Sequence, residues 1–333
     1  MTVNHFTAMI VTENPKGNFT REISLRNMET LPSGDVLIQV RYSSLNYKDA
    51  LSAIGNKGVT RRYPHTPGID AAGMVVESQS AKFSPGDSVV VTGYDLGMNT
   101  SGGFGEYIRV PSDWIVKLPD KLTLKESMIF GTAGFTAGLS VYKLVMAGLD
   151  PAAGDILVTG ASGGVGSLAI SILNKAGYRV VAASGKSGSE PLLKKLGASE
   201  VISRDKVIDT SQRTLLSSRW GGVVDTVGGP VLETALRMTQ PKGIVTCCGN
   251  VATADINLTV YPFILRGISL LGVDSAETLM PLRLKIWNKL SNEWKPDILE
   301  YIHHEISLDE LEVNIQKILS GQQIGRCLVK ISD

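Results

Sequence analysis

The sequence predicts a two-domain α/β protein in which a compact β-rich domain precedes a doubly wound parallel sheet. Three observations lead there. The first third is made of short β-branched runs broken by Gly and Pro; from about Leu124 helical segments alternate with short apolar runs; and one such run enters a Gly-rich turn that opens directly into a helix. The 333 residues also exceed the roughly 250 to 300 that one hydrophobic core sustains, which argues for about two domains.

The β-rich part reads as strands at residues 36–42, 73–77, 88–92, 107–110 and 114–118, rich in Val, Ile, Tyr and Trp and bounded by turn residues. The second part reads as strands at 156–159, 180–183, 201–202, 222–225, 244–247 and 268–273. Strands so apolar, with helices between them, belong in a parallel sheet covered on both faces. Beyond Asp274 a helical stretch over 277–294 leads to a helix-like run over 306–321 and a strand-like segment at 326–331. The residues leave open where this tail packs.

The turn at 155–166 reads D-I-L-V-T-G-A-S-G-G-V-G. Gly160 permits the tight turn, Gly163 lets the backbone approach a pyrophosphate, and Gly166 lets the helix pack closely on the strand. The helix start offers backbone N–H groups and a positive dipole end, so Ser162, Gly163, Gly164 and Val165 are expected to meet the phosphates of a dinucleotide. A site for NAD needs a carboxylate at the end of the next strand, about 20 residues on. Ser184-Gly185-Lys186 stands there instead, and Arg204 follows the third strand. Taken singly, Lys186 and Arg204 read as solvated charges; the missing acid turns the expectation to the 2′-phosphate of NADPH.

Composition limits the partner. Charged residues make up 20% of the chain and the formal net charge is +1, so no basic field draws nucleic acid or an anionic membrane. No run of roughly 20 uninterrupted apolar residues or leader pattern is read, and a cytoplasmic protein acting on a small molecule is expected. Cys247, Cys248 and Cys327 are odd in number and read as reduced thiols in ordinary packing, with a cofactor contact at Cys248 as the alternative.

The segments G-T-A-G-F-T-A-G at 131–138, G-A-S-G-G-V-G at 160–166 and V-D-T-V-G-G at 224–229, with the β-rich first third, resemble the medium-chain dehydrogenase/reductase superfamily. S-S-L-N-Y-K-D-A-L at 43–51, P-G-I-D-A-A-G at 67–73 and P-F-I-L-R-G at 262–267 resemble its YhdH/YhfP group of quinone oxidoreductase-like proteins, which includes acrylyl-CoA reductases. The resemblance implies a GroES-like catalytic domain split over residues 1–124 and 275–333, a Rossmann domain over 125–274 that holds NADPH, and a homodimer.

Zinc-dependent relatives carry a cysteine near the position of Asn46 and a His-Glu pair where this chain has Ile69 and Asp70. With about three ligands needed and none assembled, a metal-free site is expected. His65 reads as structural or solvated, and adjacent His303 and His304 would not converge from a helix. Hydride transfer to a conjugated acceptor, an enoyl-CoA or a quinone, remains feasible, because hydrogen-bond donors can stabilise the developing oxyanion. Asn46 and Tyr47 lead the catalytic expectation. By analogy with the group, Tyr47 contacts the nicotinamide end of the cofactor and orients substrate or donates a proton; packing beneath the sheet is its alternative, and turn formation that of Asn46. Thr132 reads as near the nicotinamide or as a helix cap, and Phe263 and Val273 as lining the nicotinamide pocket or packing the core. Lys57, Arg61 and Arg62 read as a solvated loop or as holders of coenzyme A phosphates, and Arg326 as reaching the site or making an interdomain salt bridge. A non-catalytic NADPH-sensing protein is the competing class.

Overall fold

The computed structural model describes residues 4–211 and 213–332. Its first stretch holds β1 (His5–Glu13), β2 (Phe19–Asn27), β3 (Val36–Leu45), α1 (Tyr47–Ala53), β4 (Asp70–Ser78), β5 (Ser88–Thr92), β6 (Tyr107–Val110) and β7 (Ile115–Lys117). A middle stretch follows with α2 (Leu124–Met146), β8 (Asp155–Val158), α3 (Gly164–Lys175), β9 (Val180–Ser184), α4 (Glu190–Lys195), β10 (Ala198–Ser203), β11 (Trp220–Asp225), α5 (Gly229–Met238), β12 (Thr239–Cys247), α6 (Tyr261–Arg266) and β13 (Ser269–Gly272). The tail adds α7 (Met280–Ser291), β14 (His303–Ser307), α8 (Leu311–Leu319) and β15 (Arg326–Lys330).

The chain divides into two units. The first takes Met1–Thr132, Ala276–Trp287 and His303–Asp333, and the second Ala133–Ser275 and Asn288–Ile302. The first break lies inside α2 rather than ahead of it, and part of the tail joins the second unit, which the sequence had placed wholly with the first. A buried helix gives no composition change at such a point, so the boundary leaves no mark in the residues.

In the first unit β14-β15-β3-β4-β5-β7 form one sheet, with β6 also paired to β3, while β1 and β2 form a separate antiparallel hairpin. The tail therefore closes this sheet: β15 runs antiparallel to β3, pairing Cys327 with Leu45. That register sets Arg326 beside the end of β3, where the chain turns into α1. Val36, Ile38 and Val40 alternate inward with Val75, Val89 and Val91 to make the core that holds these strands in place. β1, β2 and β14 are strands that the sequence reading did not recover. His303 and His304 lie on β14, so they point to opposite faces because of strand alternation rather than helical spacing.

The second unit carries a six-stranded sheet in the order β10-β9-β8-β11-β12-β13, all neighbours parallel. This order reverses between β8 and β11, the switch point outside which ligands bind in such sheets. The central strands β8, β9 and β11 are almost wholly buried, as in a sheet covered on both faces, and Trp220, Leu157, Val223 and Val245 lie in its core. Among the described residues α2 alone is long and apolar enough to cross a membrane by length and composition, although charged residues interrupt it; 78% of its apolar window is buried within the protein. Its apolarity thus answers to core packing.

Candidate active site

The first unit gathers its chemistry around Asp70, which is fully buried at the start of β4. A carboxylate without water needs donors on every lone pair, or its burial costs several kcal/mol. It has them. Oδ1 accepts from the Thr132 hydroxyl at 2.6 Å and the Thr132 amide at 2.9 Å, while Oδ2 accepts from Ser44 Oγ at 2.5 Å and Asn46 Nδ2 at 2.8 Å. The Arg326 guanidinium, also buried, lies 3.7 Å from Oδ2.

Gly131 makes room for this arrangement. Its backbone leaves the helical region of α2 at φ 50°, ψ −156°, and a Cβ there would stand 2.5 Å from Asp70 Oδ2 and 2.8 Å from Arg326 Nη2. The helix restarts after that break at Thr132. Asp70 therefore caps a helix start 62 residues away in the chain, where a negative charge is favoured by the free amides and the dipole. Thr132 does lie at a helix start, but the capping oxygen is supplied by Asp70.

Asn46 is held from both sides. Its amide nitrogen also reaches Ser44 O at 3.2 Å and Asp49 Oδ2 at 3.3 Å, and its amide oxygen accepts from Arg326 Nη1 at 3.1 Å. These partners fix which way the amide faces. They also absorb its hydrogen bonds, so Asn46 acts as a bridge between two carboxylates and a guanidinium. Tyr47, the next residue and the first of α1, is by contrast 37% exposed. Arg326 completes the cluster through Ser44 Oγ at 2.6 Å and Ile129 O at 3.0 Å. Its salt bridge is to Asp70 within the same unit, which replaces the interdomain pairing that the sequence suggested.

The sequence reading passed over Asp49. It follows Asn46 at the three-residue spacing of a capping box, and its Oδ2 takes the Asn46 amide at 2.8 Å while Oδ1 takes the Ile69 amide at 2.8 Å. That spacing was the available signal.

A zinc ion does not fit here. Among the described residues no three His, Cys, Asp or Glu side chains come together, and the one carboxylate at the compared position already faces a guanidinium and a set of donors. His65 is buried, with Nε2 at 2.9 Å from Gly97 O, and burial holds its pKa below the ordinary value. It is a structural histidine.

In the second unit β8 runs into the glycine turn as expected. Gly160 has φ +56°, and a Cβ on Gly166 would stand 2.5 Å from Gly160 O, so the turn closes only with glycine at both places. Gly163 is the cap of α3, and the amides of Gly164, Val165 and Gly166 begin the helix, where no intrahelical acceptor exists. Ser184 Oγ joins the turn to the end of β9, 3.0 Å from Ser162 Oγ, and accepts the Lys186 amide at 3.2 Å. Arg204 lies across Gly185, whose absent Cβ would meet the guanidinium carbon at 3.3 Å. Lys186 and Arg204 thus flank one glycine, and burial lowers the Lys186 pKa. An arginine across Gly185 and a partly desolvated lysine next to that glycine in the chain suit an anionic partner, and the 2′-phosphate of NADPH fits such a set.

Asp225, fully buried at the end of β11, braces the switch point. Its carboxylate accepts from Thr159 Oγ1 at 2.7 Å and the Gly228 amide at 2.9 Å, and burial raises its pKa. Cys248 donates its thiol to Asp225 O at 3.4 Å and is pushed up to about 12 by burial, so it remains a thiol. Val273 donates its amide to Cys247 O at 2.9 Å, and Phe263 packs half-buried on the core of this unit.

Burial, reinforced by the charge of Asp70, pushes the Asp49 carboxyl up to about 7. The folded protein therefore holds this proton more tightly than an unfolded chain, whose aspartates titrate near ~3.9. Asp49 favours folding fully below that lower value, and its contribution is lost as pH rises through about 7. Between about pH 4 and about pH 8 the unfolding free energy from urea titration should fall more steeply in the wild type than in Asp49→Asn, by on the order of a few kcal/mol. Parallel curves for the two proteins would contradict the assignment.

A family model for the GroES-like domain of alcohol dehydrogenases matches residues 32–120, and one for zinc-binding dehydrogenases matches residues 164–285. YhfP of Bacillus subtilis, named for a quinone oxidoreductase activity, is 48% identical over 91% of this chain and 92% of its own. A crystal structure of YhfP with NAD bound superposes with a TM-score of 0.95 at 45% identity, covering 99% of this chain and all of that one. The acrylyl-CoA reductase AcuI of Ruegeria pomeroyi is 39% identical over 98% of this chain and 99% of its own. The yhdH oxidoreductase of Salmonella enterica, crystallised with NADP, gives a TM-score of 0.95 at 40% identity over 98% of this chain and 100% of that chain. With both domain models matched and such likeness along nearly its full length, the chain belongs to the medium-chain dehydrogenase/reductase superfamily, in the group formed by YhdH, YhfP and AcuI.

Proposed function

We propose that this protein is an NADPH-dependent reductase of conjugated acceptors, with acrylyl-CoA, a short enoyl thioester, as the favoured substrate class. The observation that carries the cofactor is Arg204 lying across Gly185, with Lys186 next in the chain, where a carboxylate would stand in a site for NAD. Likeness to AcuI favours the acceptor. NADPH supplies a hydride when bound. Ser162, Gly163, Gly164 and Val165 are read as holding its pyrophosphate, Ser184, Gly185, Lys186 and Arg204 its 2′-phosphate end, and Cys248, Phe263 and Val273 the nicotinamide side of the second unit.

In the first unit Tyr47 is the catalytic residue of this reading. Its side chain, on an exposed residue, contacts the nicotinamide end or donates its hydroxyl to the acceptor oxygen on which negative charge gathers; the proton that completes the reduction comes from it or from water. Asn46 and Thr132, tied through Asp70, position the turn that presents Tyr47. A quinone is the second acceptor, favoured by the name of YhfP, whose bound NAD also marks the cofactor as the point to test first. Neither nucleic acid nor membrane enters the reading, and the three unpaired cysteines suit a cytoplasmic setting.

The protein is further read as a homodimer. β13 is the edge of the six-stranded sheet, and Val260, Ile264 and Leu265, which precede it in the chain, are exposed. An open strand edge flanked by apolar side chains favours self-association.

Three measurements test these readings. Replacing Lys186 and Arg204 by alanine should raise the KM for NADPH by about a hundredfold or more and leave that for NADH nearly unchanged, given roughly 1.5 to 3 kcal/mol for each charge-assisted contact; equal effects on both cofactors would reject the 2′-phosphate pocket. NADPH oxidation should be fastest with acrylyl-CoA in a panel of enoyl-CoA esters and quinones, and binding without turnover on any acceptor would instead make the protein a sensor. Light scattering should give twice the 35.6 kDa chain mass and shift toward one chain in Ile264→Lys/Leu265→Lys; a wild type of single-chain mass would end the dimer reading.

A further inference from the structure

Resting on the reductase reading above, we infer that Lys48, Arg61 and Arg62 form a subsite for the phosphates of the coenzyme A tail, which makes the enzyme selective for thioesters of full coenzyme A over uncharged acceptors. One loop, residues 95–100, meets the Lys48 side chain and ties down the backbone of the segment that carries the two arginines. Lys48 Nζ lies 3.9 Å from Met98 Sδ, and the Arg61 amide donates to the side chain of the next residue, Asn99, at 3.2 Å. Lys48 also directly follows Tyr47 in α1, so the cluster begins at the proposed reaction centre.

The segment bearing the arginines is fixed against α1 rather than free. Thr60 Oγ1 and Ser52 Oγ, both buried, lie 2.7 Å apart, and Tyr63 donates its hydroxyl to Ser52 O at 2.7 Å. Arg61 and Arg62 are exposed on this anchored segment. The loop they share with Lys48 contains one acid, Asp95, whose two oxygens take Asn99 Nδ2 and Thr100 Oγ1, each at 2.9 Å. Among the described residues none of the three cations makes an ion pair. Elsewhere in the unit the pattern is different: Arg21 pairs with Glu312, Lys82 with Asp113 and Lys117 with Asp87.

The same contrast corrects the sequence reading, which grouped Lys57 with the arginines. Lys57 is bound to Glu13 at 2.5 Å and lies over the rings of Phe19 and Tyr63, so its charge is already met. Lys48 takes its place. Three like charges on segments that one loop ties together, none of them in an ion pair among the described residues, leave that face open to an anion. Coenzyme A brings a diphosphate and a 3′-phosphate, and the planar arginine fork suits phosphate oxygens in pairs. A quinone brings no such charge.

The test compares acrylyl-CoA with acrylyl-pantetheine, which keeps the reacting thioester and lacks every phosphate. In the wild type kcat/KM should favour acrylyl-CoA, and that preference should weaken with ionic strength. Arg61→Gln/Arg62→Gln and Lys48→Gln should together lower the preference by about tenfold or more, chiefly through KM, with Arg61→Lys/Arg62→Lys restoring part of it. Turnover of acrylyl-pantetheine by each variant reports that it is folded. Equal losses on both thioesters, or a wild type indifferent to the phosphates, would overturn the subsite and leave the reductase reading standing. A wild type that reduces neither thioester would overturn both.

Discussion

The first unit depends on one constraint, that the Asp70 carboxylate must be buried as a charge and still be satisfied. Paired with Arg326 and ringed by Ser44, Asn46 and Thr132, it draws together the end of β3, the start of β4, the break in α2 and the last strand of the chain. Removing one partner of such a cluster leaves an uncompensated buried charge, which costs about 3–5 kcal/mol, so the elements are held in register by the penalty of parting. Gly131 is part of the same constraint, since a side chain there would occupy the space of the carboxylate and the guanidinium.

Two buried carboxylates against one guanidinium leave the cluster one negative charge in excess. Asp49 answers this by holding its proton up to about pH 7, because burial and the charge of Asp70 both disfavour its ionised form. Tyr47, one residue on, begins the helix that Asn46 and Asp49 cap. The arrangement also explains why the site suits donors rather than a metal: its acidic oxygens are already answered by N–H and O–H groups.

The second unit obeys a different constraint. Its sheet order places β8 and β11 at the point of reversal, and glycine at 160 and 166 lets the chain turn sharply enough for α3 to begin beside the strand ends. Selectivity is then a matter of what stands beyond β9. Gly185 leaves space for Arg204 to lie across the end of β9, and no carboxylate stands between that strand end and Lys186 in the chain.

Local signals made much of this legible in the sequence. The glycine turn, the missing acid after β9 and the apolar strands of the parallel sheet follow from backbone freedom, charge and burial on both faces, all properties of contiguous residues. Asn46, Thr132, Lys186 and Arg204 were therefore singled out from the sequence. Their partners were not, because Asp70, Arg326 and Ser44 meet only through strand pairing across nearly the whole chain, and because the edge strands β1, β2 and β14 have weak alternation that packing overrides. Local chemistry in the sequence by itself determined the fold class and the preference for a cofactor; only the tertiary structure decided which charges face one another, since burial and pairing depend on contacts that no local pattern encodes.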